Sequence, residues 1–323
     1  MYGVTLLLVM YCWANNSYAP IRAKNMRITT LMYIGTLLWY IGDLPTNGHV
    51  ALAGTWSICK LWCIWIRVFF AYAFGAAAAL RNYALYRVFI LHRPYKGLGF
   101  YIPIVVLFGS LVVFSTVSQL VSSKLTVIYS PKFEMCSYVW AFRGSCLALV
   151  WVIWLLVLFF VIKIRRIHTS FNERYDSIVV FILGVSAAAL TTALHLAYPN
   201  YPLRLHLRLL NTWVDFLTGN LAIWAVLLYP CYQSIVNREA YLQSWYATLQ
   251  ADGLKEEYNM SPLNRSVQHT YSVIGEGAGS QHRSGVAPWP SGGATAVEEV
   301  VSVPPHAQLG FYSDKSYHPQ EAV

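Results

Sequence analysis

Apolar and polar positions follow one another along the first 230 residues in long blocks, not with the period of two that marks a strand. Seven apolar blocks, at 2–14, 28–45, 56–80, 101–121, 145–164, 178–198 and 210–230, are separated by short polar loops. Crossing about 30 Å of hydrocarbon at 1.5 Å per residue takes about 20 mostly apolar residues. Six blocks meet that length, and the first, with 13 residues, does not. Only a helix satisfies its own backbone hydrogen bonds segment by segment in lipid. The pattern therefore predicts an all-α fold, a polytopic membrane protein with a seven-transmembrane-helix bundle over residues 1–230. A truncated first helix is expected, the other reading being a short helix that thins the bilayer. No basic run precedes the first block, which argues against a cleaved signal peptide.

Composition supports the same class. The chain is 57% hydrophobic and 11% charged, against about 25% charged in a soluble domain. Its 12 Trp and 23 Tyr are the aromatics that favour membrane–water interfaces. The net charge of +9 does not point to nucleic acid, because residues 1–230 hold 18 basic and 5 acidic residues whereas the remainder holds 5 and 9. The positive charge belongs to the membrane part and reports orientation.

Loops rich in Lys and Arg stay in the cytoplasm. The loops after the first, third and fifth blocks carry Arg22, Lys24, Arg27, Arg81, Arg87, Arg93, Lys96, Lys163, Arg165, Arg166 and Arg174. The other three carry Lys124, Lys132, Arg143, Arg204 and Arg208. Eleven against five places the N-terminus outside and the C-terminus inside, in a multi-pass protein expected at the plasma membrane. Cys59, at the outer start of the third block, and Cys136, in the outer loop before the fifth, then face the oxidising side. A disulfide between them is expected, two free cysteines being the alternative. A glycosylation sequon at Asn15-Asn16-Ser17 falls on the cytoplasmic side, and the basic loop outweighs it.

Specific motifs stand at the cytoplasmic face. Pro20-Ile21-Arg22-Ala23-Lys24-Asn25 follows the first block, Arg81-Asn82-Tyr83-Ala84-Leu85-Tyr86-Arg87-Val88-Phe89 follows the third, and Phe171-Asn172-Glu173 precedes the sixth. In order and in loop they resemble the inner-face motifs of class C (family 3) G-protein-coupled receptors, the metabotropic glutamate, calcium-sensing and GABA-B group. Those motifs read Pro-Ile-Val-Lys-Ala-Ser-Asn, Lys-Thr-Asn-Arg-Ile-Tyr-Arg-Ile-Phe and Phe-Asn-Glu-Ala-Lys. The resemblance covers about residues 17–232. It implies that Arg81 and Glu173 form an ionic latch between the inner ends of two helices. It also implies that Arg22, Lys24, Arg87, Arg166 and Arg174 face a heterotrimeric G protein. The chain departs from the family in three ways: the sixth block has no Trp, Tyr229-Pro230-Cys231-Tyr232 lacks the family's Lys, and none of these 323 residues is expected to correspond to the family's large ligand-binding ectodomain.

Ionisable residues at membrane depth are candidate functional residues because burying a charge there is costly. Arg67, Asp215, His195 and Asp43 are such residues. Pairing of Arg67 with Asp215 is expected, and with His195, Trp62, Trp65, Tyr72 and Trp213 they are candidates to line a ligand pocket. A structural salt bridge is the bland alternative, and His195 by itself reads as interfacial. The expected function is that of a receptor for an unidentified small molecule, signalling through a heterotrimeric G protein. The alternatives are a small-solute transporter or channel using Arg67 and Asp215, and a receptor-like scaffold without signalling. No hydrolase, kinase or nucleotide-binding pattern is present, so no enzyme activity, catalytic residue, metal or cofactor is expected. Membrane lipid and a second copy of the chain complete the expected partners. Residues 231–250 read as a juxtamembrane interfacial helix with Cys231 as a palmitoylation candidate. Residues 251–323, rich in Gly, Ser and Pro, read as a disordered cytoplasmic tail.

Overall fold

Helices begin and end where buried polar partners dictate, and this moves several boundaries away from the limits of the apolar blocks. The computed structural model describes residues 1–52, 54–91, 97–165, 173–198 and 201–251. The chain divides at residue 261 into two units, and all described residues lie in the first. Of the expected tail over residues 251–323, Ala251 closes a helix and residues 252–323 lie outside the described residues, as do Arg166 and Phe171-Asn172.

Helix α1 spans Tyr2–Ala14, α2 Ala19–Ala23 and α3 Met26–Thr46. The third block begins its helix at Leu61 as a π-helical segment, Leu61–Val68, which continues into α4, Phe69–Phe89. The helix runs past residue 80 because Arg81 and Asn82 are buried and partnered there. Helices α5 (Leu98–Leu120), α6 (Trp140–Ile164), α7 (Glu173–Ala197) and α8 (Leu205–Val236) follow. α6 starts at Trp140, before the apolar block, and carries Arg143 into its first turn instead of leaving it in a loop. The chain breaks at Asn237 before α9 (Arg238–Ala251), so Cys231 belongs to α8, and the expected interfacial helix begins seven residues later than its composition suggested.

Among the described residues, five helical stretches, Leu61–Val88, Leu98–Leu120, Trp140–Ile164, Glu173–Ala197 and Leu205–Val236, are long and apolar enough to cross a membrane. This is the make-up of an all-α membrane protein. α1 is apolar but has only 13 residues. α3 has 21 residues and is broken in character by Thr29, Thr36 and Asp43, all fully buried.

The centre of the packing is α4, where Ala76, Ala77, Ala78 and Ala79 are all buried. Small side chains let neighbouring helices approach closely. α3 lies close along this helix: a Cβ on Gly35 would stand 3.3 Å from the Phe74 backbone nitrogen of α4, and one on Gly42 2.7 Å from the Arg67 backbone nitrogen of the π segment, so no side chain fits at Gly42 without a shift. α5 is the contrast, exposing Tyr101, Ile102, Val105, Val106, Val113 and Val117. That surface matches hydrocarbon and is unsuited to water.

Between α5 and α6 the loop folds into a two-stranded antiparallel hairpin, β1 (Val127–Ser130) and β2 (Met135–Tyr138), with Tyr129 opposite Cys136. A disulfide joins Cys136 to Cys59 ahead of the π segment, with Cα atoms 5.5 Å apart. The Tyr129 hydroxyl donates to the Leu52 carbonyl at 2.6 Å, adding a second tie. At the opposite end of the helices, the Tyr18 hydroxyl donates to the Arg238 carbonyl at 2.9 Å and fixes the chain before α2 against α9. Burial pushes the Tyr18 hydroxyl up to about 12, so it remains a neutral donor.

Candidate functional site

Two sets of charged side chains are buried among the helices, one at each end. At the α2 end, Arg81 on α4 pairs with Glu173 on α7. Lys24, just after α2, reaches both Glu173 Oε1 at 2.9 Å and Asp176 Oδ2 at 2.7 Å. Arg81 also lies 3.5 Å from Asp176 Oδ2. One residue along, the Ser177 hydroxyl donates to Asn82 Oδ1 at 2.7 Å.

Helical spacing explains the arrangement, because Glu173, Asp176 and Ser177 stand at i, i+3 and i+4 on one face of α7. The two carboxylates occupy the first turn, where the helix dipole favours negative charge. Two cations meet two anions, so the network is neutral, as a buried set must be to offset its desolvation. Asp176 and the Lys24 contribution were not anticipated. The i+3 spacing from Glu173 was the available signal for Asp176.

Lys24 is therefore corrected as a surface residue: it is buried and committed to carboxylates. Arg22 is exposed, Arg174 is half-buried, and Arg87 is half-buried with Nη1 donating to the Tyr83 hydroxyl at 3.0 Å.

At the hairpin end, Arg67 Nη2 lies 2.7 Å from Asp43 Oδ1. The other Asp43 oxygen accepts from Asn47 Nδ2 at 2.8 Å and from the Thr212 hydroxyl at 2.7 Å. The Tyr201 hydroxyl donates to Asn47 Oδ1 at 2.8 Å, and burial pushes that hydroxyl upward, keeping it a donor. The expected Arg67–Asp215 pair is replaced by Arg67–Asp43. Gly42 provides the reason, since it brings the α3 backbone against Arg67 and its neighbour Asp43 with it. Asp215 is buried on α8, where Oδ2 accepts from Asn211 Nδ2 at 3.3 Å.

Three further expectations change here. His195 is buried, not interfacial: its ring sits edge-on to Tyr138 and Tyr201, with centroids 6.1 and 5.1 Å away. Arg143 closes over it, donating from Nη1 to the His195 carbonyl and from Nη2 to the Tyr138 carbonyl, both at 3.2 Å. Trp62 and Trp65 do not join Arg67. Trp62 Nε1 donates to the Trp56 carbonyl at 3.0 Å, and Trp65 Nε1 points to Gln119 on α5 at 3.4 Å. The wider π turn changes which residues share a face, so α-helical spacing misassigned them. Cys231 is buried beside Cys12, which removes it from the surface where acylation takes place.

A cavity of about 80 Å³ lies below this set, lined by Trp39, Phe74, Trp154, Arg143, His195 and Asp215 together with Arg67. It has room for several waters and is small beside the ~300–1,000 Å³ of drug-sized sites. A recess of about 200 Å³ beneath the hairpin shares Arg67, Tyr138, Arg143 and His195 with it.

Compared with known proteins, the chain matches no family model and no curated protein.

Proposed function

We propose that this chain is a seven-helix, class C-like receptor of the plasma membrane, with its N-terminus outside, which engages a heterotrimeric G protein through its α2-end loops. α1, α3 and the five long apolar stretches supply the seven passes. The reading rests above all on the neutral charge network of Lys24, Arg81, Glu173 and Asp176, which ties α4 to α7. Its two central members stand in motifs that resemble those of the receptor family. A buried, bistable contact between helix ends is a device by which a receptor is held at rest. Exposed Arg22 offers cationic surface beside it. An unidentified small molecule acting from the hairpin end is the expected agonist.

Nucleotide exchange on purified G proteins, with the chain in lipid nanodiscs, tests the reading. Glu173→Gln should raise basal exchange several-fold, within the ~5–150-fold range of ordinary allosteric couplings. Arg81→Glu combined with Glu173→Arg should restore part of the restraint. Unchanged basal exchange in a well-folded Glu173→Gln protein, with strict additivity across the Arg81/Glu173 cycle, would sink the latch.

One observation favours a second reading, a small-solute transporter or channel. The cavity and the hairpin recess share Arg67, Tyr138, Arg143 and His195 in their linings, so polar side chains stand between the two spaces. Solute flux in liposomes without nucleotide exchange would select it over the receptor.

A further inference from the structure

A cleft of about 390 Å³ opens beside the α2-end network. Lys24, Arg81 and Glu173 line its depth, and Arg22 and Arg27 stand at its edge, both exposed. Every ion pair among the described residues at this end uses Lys24 or Arg81, so Arg22 and Arg27 meet no described carboxylate. The four-charge network is itself neutral, which leaves the cleft with a surplus of two positive charges. The cleft also takes in the start of α3 at Asn25 and Met26, where no side chain caps the helix, so the positive end of a 21-residue helix adds to the field.

The neighbouring surface is apolar in a particular line. Trp13, at the edge of the cleft, donates from Nε1 to the Thr30 hydroxyl at 2.8 Å, which sets the last turn of α1 beside α3. One turn further from the cleft come Met10 on α1 and Ile34 on α3, 57% and 42% exposed, followed by the exposed Leu6 and Ile41. A basic cleft continuous with an exposed apolar strip over two helices matches a ligand with a phosphate at one end and an alkyl chain at the other.

We infer that this cleft binds the phosphate-bearing headgroup of an anionic phospholipid, whose acyl chain lies along the α1–α3 strip. The guanidiniums of Arg22 and Arg27 hold the phosphate, and the uncapped start of α3 at Asn25 and Met26 adds its field beside them. The inference concerns lipid binding alone and stands whether or not the chain signals.

The test uses the full chain in nanodiscs of phosphatidylcholine containing a small fraction of phosphatidic acid, with protein-retained lipid read by native mass spectrometry. Phosphatidic acid should be enriched over phosphatidylcholine, and Arg22→Gln with Arg27→Gln should cut the preference by about 30-fold, the worth of two interfacial cations. Lys163→Gln with Arg165→Gln removes the same charge from the same end and should leave the preference nearly intact. Equal losses in the two double variants would reduce the effect to general surface charge and overturn the site. Met10→Ser with Ile34→Ser, which leaves every charge in place, should also weaken retention. Glycerol 3-phosphate serves as the soluble probe: binding as tight as that of phosphatidic acid, with no effect of the strip variant, would assign the cleft to a free phosphate ester and overturn the lipid. Thermal unfolding of each variant separates lost binding from lost fold, since all six positions lie at the surface.

Discussion

Arg67 and Arg81 illustrate how a single residue's surroundings decide its role. Both are buried on one continuous helix and both meet a carboxylate, yet their partners differ in number. Arg81 shares two carboxylates with Lys24, so loss of one partner leaves others. Arg67 has Asp43 as its ion-pair partner among the described residues. Arg67→Met should therefore destabilise the protein by about 3–5 kcal/mol, the usual cost of leaving a buried charge uncompensated. The double variant with Asp43→Leu should recover much of that, because removing both charges also removes their desolvation. Thermal unfolding in nanodiscs measures it, and a double variant no better than the singles would contradict the pairing. At this scale the sequence was partly legible. The motif alignment set Arg81 against Glu173 because short-range order carried both positions. Nothing local linked Arg67 to Asp43, 24 positions away on another helix, and the expected meeting of the third, sixth and seventh blocks pointed to Asp215 instead.

Elements were legible in proportion to their apolar content. α1 matches its block to the residue, because its polar contacts fall inside the apolar run and not beyond its ends. α6 and α8 extend beyond theirs because Trp140–Arg143 and Leu205–Arg208 continue as helix through polar residues with partners in the fold. The hairpin at Val127–Tyr138 was read as loop, its four-residue strands being too short for a period to register beside seven long blocks. The π segment was invisible for a related reason: apolar content does not distinguish π from α turns. Its fit against α3 gives an element-scale prediction. Gly42→Val puts two methyls where a lone Cβ would already meet the Arg67 backbone at 2.7 Å. Overpacking of this kind costs about 1–3 kcal/mol, and Gly3→Val, where a Cβ meets nothing within 4 Å, should cost far less. A comparison of thermal midpoints tests the pair of variants, and equal shifts would mean that α3 does not press on the π segment.

For the whole molecule, the apolar exterior of α5 and the enclosed interior of α4 define which surfaces meet lipid and which meet protein. The disulfide acts at the same scale, since Cys59 and Cys136 close 77 residues of chain. Cross-linking a loop of that length is worth about 4.5 kcal/mol by chain entropy. Reduction, or Cys59→Ser with Cys136→Ser, should lower unfolding stability by up to that amount while the charge network at the other end persists. Loss of both together would mark the helices as a single cooperative block.

The helix running from Leu61 to Phe89 has a mechanical consequence. Arg67 and Arg81 lie fourteen residues apart, about 21 Å at the rise of an α-helix, on one stiff rod that is gripped by charge near each end. A rod cannot slide or turn at one grip alone. Slackening either anchor should therefore loosen the other, although no atom of one touches the other. Asp43→Asn and Glu173→Gln, combined in one chain, should shift basal exchange by a factor different from the product of their separate effects. Sites this far apart ordinarily act independently, so a simple product would show that the rod bends between its grips and transmits nothing.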